Sequence, residues 1–95
     1  MAGTPKPAQG VYGISVAAEL VGTGMQNLRL YESRGLLTPS RTPGGSRRYS
    51  QEDLVVLRRI GELLADGLNL AGVAKVLELE ADNALLRRKN DERRR

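Results

Sequence analysis

The architecture of this chain is encoded most clearly in residues 25–50, which read MQNLRLYESRGLLTPSRTPGGSRRYS. Met25, Leu28 and Tyr31 recur at a spacing of three, which predicts a short helix with one apolar face. Gly35 is suited to end this helix, because glycine readily adopts the left-handed conformation that follows a helix. The remainder contains a Pro-Gly-Gly turn between two extended segments, which predicts a short β-hairpin.

Another short helix is predicted immediately before this stretch. Ser15 is its candidate N-cap, because a serine hydroxyl can accept a hydrogen bond from a first-turn N–H. Gly22 and Gly24 then end this helix. Two short helices joined by a tight turn are typical of a helix-turn-helix unit. The residues predicted to face inward from this helix are Val16, Ala17, Leu20 and Val21.

Two more helices are predicted after the hairpin. Ser50 and Asp53 have the spacing of a capping box, which marks the start of the third helix. Asn69 is a candidate cap for the fourth. From residue 79 the pattern changes to a heptad seam with asparagine at both a positions, which favours a two-stranded coiled coil. The residues predicted to form this dimerisation seam are Leu79, Asn83, Leu86 and Asn90.

These patterns predict a mainly α fold. A winged helix-turn-helix domain, made of four helices and a β-hairpin wing, is followed by a short coiled-coil helix for dimerisation. The predicted boundaries are a flexible N-terminal leader at 1–10, the winged helix-turn-helix domain at 11–78, and the dimerisation helix with a frayed basic end at 79–95.

Composition excludes several kinds of chemistry. The 95 residues contain no histidine and no cysteine. Disulfides, the usual transition-metal sites and histidine acid–base catalysis are therefore excluded, and we expect neither a metal nor a cofactor nor an enzyme. No apolar run is long enough to span a membrane, and residues 1–10 lack the apolar core of a signal peptide. The sequence therefore predicts a cytoplasmic protein.

Charge is concentrated where the helix and hairpin are predicted. Residues 29–48 contain five arginines and one acidic residue, Glu32. Arginine can form two parallel hydrogen bonds to phosphate or guanine, so this cluster predicts a DNA-binding surface. Gln26, Asn27 and Leu30 share the predicted outward face of the helix. The full set of candidate DNA-binding residues is Ser15, Gln26, Asn27, Arg29, Leu30, Tyr31, Arg34, Arg41, Arg47, Arg48 and Tyr49.

Several motifs in this order resemble the DNA-binding domain of the MerR family. The resemblance covers about residues 12–79 and includes Leu28-Arg-Leu-Tyr-Glu32, Gly35-Leu-Leu-Thr-Pro39 and Arg47-Arg-Tyr-Ser50. It implies a homodimer that binds double-stranded DNA at an inverted repeat and acts as a repressor or by distorting a promoter.

By position, the resemblance implies phosphate and groove contacts for Arg29 and Tyr31. It also implies wing contacts for Arg41 and Arg47, with Tyr49 closing the wing. The segment Asn69-Leu-Ala-Gly-Val is most similar to the heat-shock repressor branch, which implies a chaperone or another protein as co-regulator. The 95 residues contain no counterpart of the family's effector-binding domain, so we expect no direct sensing of a metal or drug.

Other interpretations remain open at this point. An architectural protein similar to excisionases would bend DNA without controlling a promoter, and a protein-interaction module would use the wing and coil to hold an acidic partner. Tyr31 and Tyr49 can be core residues, phosphate contacts or both. The seam residues can belong to an amphipathic helix that packs on its own domain.

Overall fold

The structure, a computed structural model, describes the backbone of residues 5–93 and the side chains of residues 5–89. The predicted seam residue Asn90 has its side chain outside the described residues, as do residues 1–4 of the predicted leader and residues 94–95 of the predicted frayed end. The elements in chain order are α1 (Ile14–Val21), α2 (Met25–Ser33), β1 (Ser40–Arg41), β2 (Arg47–Arg48), α3 (Gln51–Ala65) and α4 (Leu70–Arg93). This order confirms the predicted fold class of four helices with a hairpin wing.

Helix α1 packs against α2 and α3 through small residues. Ala17 is fully buried and Ala18 nearly so, whereas Val16 and Leu20 are about half exposed. The prediction that Val16 and Leu20 face inward is therefore wrong. Alanine on the inner face allows helices to approach more closely than leucine would. Gly22 ends α1 with a φ of 78°, so the turn into α2 requires a left-handed residue at this position.

The predicted N-cap of α1 is also wrong. The helix begins at Ile14, two residues earlier than expected, and its N-cap is Gly13, which has no side chain to bond the first turn. Ser15 lies within the helix and is exposed. The start of the helix is set by Tyr12, the residue before the N-cap. The Tyr49 N–H donates to the Tyr12 carbonyl (2.7 Å), and the Tyr12 N–H donates to the Tyr49 carbonyl (3.0 Å).

The wing is a minimal antiparallel hairpin. Ser40 lies opposite Arg48 and Arg41 opposite Arg47. The Gly45 N–H donates to the Thr42 carbonyl across the turn (2.8 Å). Gly45 has a φ of 88°, a conformation that side chains with a Cβ rarely adopt.

Residues before α1 contact the base of the wing. A Cβ on Gly10 would lie 2.9 Å from the carbonyl oxygen of Arg48, so only glycine fits this approach. The Glu52 N–H at the start of α3 donates to the Pro7 carbonyl (3.1 Å). These contacts attach the last residues of the predicted leader to the fold, which differs from the free segment expected from composition.

Helices α3 and α4 form an antiparallel pair. The capping box is present, since the Ser50 hydroxyl accepts from the Asp53 N–H (3.0 Å) and the Asp53 carboxylate accepts from the Ser50 N–H (2.9 Å). Asn69 caps α4 as predicted, because its side-chain oxygen accepts from the Gly72 N–H (2.8 Å). The fourth helix and the dimerisation segment are continuous, so the change of pattern at residue 79 marks no break in the backbone.

The core lies where α1, α2 and α3 meet the base of the wing and the first turns of α4. Its largest fully buried side chains are Tyr49, Leu28, Ile60 and Val73. Since residues from every helix and from the end of the wing contribute, the domain has one core. The other buried apolar residues are Ala17, Ala18, Tyr31, Leu37, Leu54, Leu57 and Leu63.

Candidate nucleic-acid interface

Helix α2 projects one face away from the domain. Leu28 and Tyr31 anchor its inner side in the core. The exposed strip opposite them consists of Gln26, Leu30 and Ser33. Leu30 is 39% exposed, and its position on this strip suits contact with a thymine methyl. The structure therefore presents two of the predicted reading residues, Gln26 and Leu30, together on one exposed face.

Exposed side chains flank this strip on both sides. Helical spacing puts Arg29 on the side facing the wing, and Asn27 and Arg34 on the other side. Both arginines are exposed. A strip that carries hydrogen-bonding and apolar groups between two cations has the chemistry of a helix that reads base edges between two phosphate backbones.

Asn27 is held in place by a residue that the sequence analysis overlooked. Its side-chain amide donates to the Thr23 hydroxyl over 2.7 Å. The N-cap, Gly24, offers no side chain, so this bond orders the first turn of α2 in place of a cap. Asn27 retains its carbonyl oxygen and a second amide hydrogen, the pair of groups that can bond an adenine edge.

The two wing arginines on one face of the hairpin bond to α2. The Glu32 carboxylate accepts from Nη2 of Arg41 (2.8 Å) through one oxygen and from Nε of Arg47 (2.5 Å) through the other. Nη1 of Arg41 also donates to the Gly45 carbonyl (3.0 Å) at the tip of the wing. The sequence identified Glu32 only as the single acid among five arginines, because nothing local indicates contacts to residues 9 and 15 positions away.

Arg48 lies on the opposite face of the hairpin. Its Nη1 donates to the Arg47 carbonyl (3.0 Å) and lies 3.5 Å from where a Cβ of Gly13 would be. The five arginines therefore divide into two on α2, two facing Glu32 and one beside the start of α1.

The tyrosines belong to the core. Tyr49 is fully buried, and its hydroxyl has no hydrogen-bond partner within the part of the chain that the structure describes. Its ring belongs to the hydrophobic core, and its assignment as a DNA contact stays a prediction. Tyr31 is 6% exposed and lines a shallow depression with Val21 and Leu57, so its phosphate contact stays a prediction. Burial raises the pKa of both hydroxyls.

Electrostatics at Glu32 follow from its two partners. The hydrogen bond from Arg47 lowers the pKa of the Glu32 carboxyl below its usual 4.5, and the charges of Arg47 and Arg41 lower it further. The same contact raises the pKa of the Arg47 guanidinium. The cluster therefore stays fully ionised at neutral pH.

Replacing Glu32 with glutamine is expected to lower the free energy of unfolding by about 1 kcal/mol near neutral pH. A carboxyl whose pKa is lowered on folding stabilises the protein above its unfolded pKa, and this contribution disappears as pH falls through the lowered value. The difference between Glu32→Gln and wild type should therefore shrink in acid. Urea denaturation at both pH values measures it, with exposed Glu19→Gln as the control. A difference that persists unchanged in acid would contradict the assignment.

The three predicted seam residues whose side chains the structure describes lie on one exposed face of α4. Leu79 is 54% exposed and Leu86 is 57% exposed, and Asn83 lies exposed between them. The far side of the same helix packs on α3, where Arg59 donates to both Glu80 carboxylate oxygens at 2.8–3.2 Å. The first turns of α4 therefore pack on their own domain through their apolar residues. The seam face contacts no other part of the described chain.

Two further findings apply to residues 5–93. Within this range, no helix has the length and apolar character needed to cross a membrane. Among residues 5–89, whose side chains are described, no group of three acidic side chains is arranged to hold a metal ion.

Comparison with known proteins finds one family model and several relatives that match most of this chain. Residues 12–80 match the model of the MerR HTH family regulatory proteins. A putative heat shock protein HspR of Streptomyces coelicolor is 51% identical over 71 residues, which cover 74% of this chain and 47% of that protein. The HTH-type transcriptional repressor CarH of Myxococcus xanthus is 41% identical over 71 residues, covering 74% of this chain and 24% of CarH. The chain thus spans about half the length, or less, of these relatives.

A solved structure matches over most of the chain. HiNmlR, a MerR family regulator lacking the sensor domain, was solved bound to promoter DNA. It is similar with a TM-score of 0.66 and 29% identity, over 86% of this chain and 65% of that one.

Proposed function

This chain belongs to the MerR family, and we propose that it regulates transcription by binding double-stranded DNA sequence-specifically. The observation that carries the proposal is the exposed face of α2, where Gln26 and Leu30 lie between Arg29 and Arg34 and Asn27 lies exposed beside Arg34. That the similar regulator HiNmlR binds promoter DNA supports the same use here. The family consists of regulators and not of enzymes, in agreement with the sequence analysis.

The proposed binding unit is a homodimer on an inverted repeat. A single domain of this size can cover only one half-site, and one half-site gives modest affinity. The exposed seam face of α4, with Leu79 and Leu86, is suited to joining two copies. Repression or distortion of a promoter would follow from occupancy of both half-sites.

A protein co-regulator is proposed as the source of the signal. The similarity to a putative heat shock protein supports a chaperone in this role. Operator affinity measured with and without purified chaperone tests it, and an unchanged affinity would count against the chaperone.

Selection of bound duplexes from a random pool tests the proposed function. We expect an inverted repeat whose half-site centres lie about one helical turn, or a multiple, apart. Asn27→Ala should change the preferred base at one position in each half-site, costing about 1–3 kcal/mol there, because alanine cannot form the paired hydrogen bonds to a base edge. Arg29→Ala is the matched control on the same helix. It should weaken all duplexes about equally, since a phosphate contact carries no sequence information.

Recovery of single half-sites would overturn the homodimer, and recovery of no common sequence would favour an architectural DNA-bending protein. If Arg29→Ala changed base preference and Asn27→Ala did not, the assignment of reading and positioning residues on α2 would be wrong.

A further inference from the structure

The hairpin pairs two like charges directly across its strands. Arg41 lies opposite Arg47 in the register, and like charges in this arrangement destabilise a hairpin. Each strand has only two residues, so backbone pairing alone gives the wing little stability. The contact that offsets the repulsion comes from outside the hairpin, where the Glu32 carboxylate on α2 accepts from both arginines.

This carboxylate connects the parts of the interface. One oxygen bonds Arg47, the other bonds Arg41, and Arg41 continues to the Gly45 carbonyl at the wing tip. A continuous set of hydrogen bonds therefore runs from α2 to the end of the wing. Glu32 is on the side of α2 that also carries Arg29, three residues earlier in the helix. The wing is thus fixed relative to the helix proposed to read bases.

Resting on the proposed DNA binding, we propose that Glu32 is a positioning residue that pre-organises Arg41 and Arg47 for phosphate. A guanidinium has five N–H donors. Glu32 uses one from each arginine, and Arg41 uses a second for the Gly45 carbonyl. The remaining donors of both side chains are left to contact the DNA backbone. The three side chains together keep one net positive charge. Glu32 does not touch DNA in this arrangement and acts through the two arginines.

Charge alone predicts the opposite effect. Removing an acid next to a DNA-binding surface raises the net positive charge and should strengthen binding. Pre-organisation predicts weaker binding, because two long side chains and the wing would then have to be ordered by the DNA. We expect pre-organisation to dominate, with Glu32→Ala weakening binding roughly tenfold.

The test uses the full chain and a duplex of the sequence that the random-pool selection yields. Glu32→Ala is expected to lower affinity and to lower the slope of log affinity against log salt by about one for each phosphate contact that no longer forms. The Gly44 and Gly45 amides should also become more mobile by NMR relaxation in the free protein. Glu32→Gln, which keeps one acceptor oxygen, should fall between wild type and Glu32→Ala. Glu19→Ala removes an exposed acid from α1 and should leave affinity unchanged or slightly higher.

Each outcome decides between the two explanations. Affinity for Glu32→Ala that equals or exceeds wild type, with an unchanged salt slope, would overturn the proposal and leave charge as the explanation. If Glu32→Ala fails to fold by circular dichroism, Glu32→Gln decides the question by the same two readouts. Failure of the wild-type chain itself to bind any duplex would instead overturn the proposed function, and this inference with it.

Discussion

Raising the salt concentration from 50 to 200 mM is expected to weaken operator binding by roughly 10³–10⁵, for about 6–10 phosphate contacts per dimer. Each phosphate that an arginine neutralises releases condensed counterions, and this release becomes less favourable as salt rises. Each subunit has five candidate arginines, so two subunits offer up to ten contacts, the upper end of this range. These residues are Arg29, Arg34, Arg41, Arg47 and Arg48.

The measurement is the slope of log affinity against log salt for a duplex of fixed sequence. Arg29→Ala should reduce the slope by about one for each phosphate contact it removes, at both half-sites, without changing base preference. Arg29 is the most direct probe, because it is exposed and pairs with no acid among the described residues, whereas Arg41 and Arg47 also hold Glu32. A nearly flat slope for wild type would refute DNA binding through these arginines and would favour the protein-interaction module.

The parts of the fold that depend on local sequence could be predicted. The turn glycines at 22, 35 and 45 all have positive φ, and the caps at Ser50 and Asn69 are formed. Such signals act within a few residues, so they can be read from sequence alone. The same holds for the exposed face of α2, since the anchors Leu28 and Tyr31 define it by helical spacing.

The features that were missed depend on distant contacts. Hydrophobicity alone predicts that Leu20 lies on the inward face of α1. The close packing of α1 on α2 and α3 instead favours the small residues Ala17 and Ala18 at the contact. The start of α1 is set by pairing between Tyr12 and Tyr49, which are 37 positions apart. Tyr49 is buried as part of a core cluster that includes residues from every helix. Among the candidate site residues, Glu32 was missed for the same reason, because its contacts form only once the wing folds onto α2.

Replacing both Leu79 and Leu86 with lysine is expected to weaken binding to the full inverted repeat by about 10²–10⁴-fold. Two linked half-sites gain affinity because the second binding event occurs at high effective concentration. Charged residues at the seam would separate the subunits and remove this gain. Each domain should remain folded, because both leucines are more than half exposed and lie on the side of α4 away from α3.

Leu85→Lys provides the matched control. Leu85 is 51% exposed on the same helix, but it lies about 100° around the axis from Leu86 and therefore off the seam. It adds one positive charge in the same region, against two in the double variant, so an effect of charge on DNA binding appears in the control at about half its size. Sedimentation measures the subunit association, and circular dichroism confirms the fold.

Binding to a single half-site and binding to the full inverted repeat should respond differently to changes in the seam face. The double variant should bind a single half-site as wild type does and lose affinity only on the inverted repeat, because the reading face of α2 is untouched. Asn83 should set the register of the pair and add little stability, since asparagine at an a position selects a two-stranded state at a cost. A double variant that sediments as a dimer and binds the repeat with wild-type affinity would show that the subunits associate elsewhere. The α3 surface around Arg58 and Arg59 would then be the next candidate, and variants there would be tested on the same two duplexes.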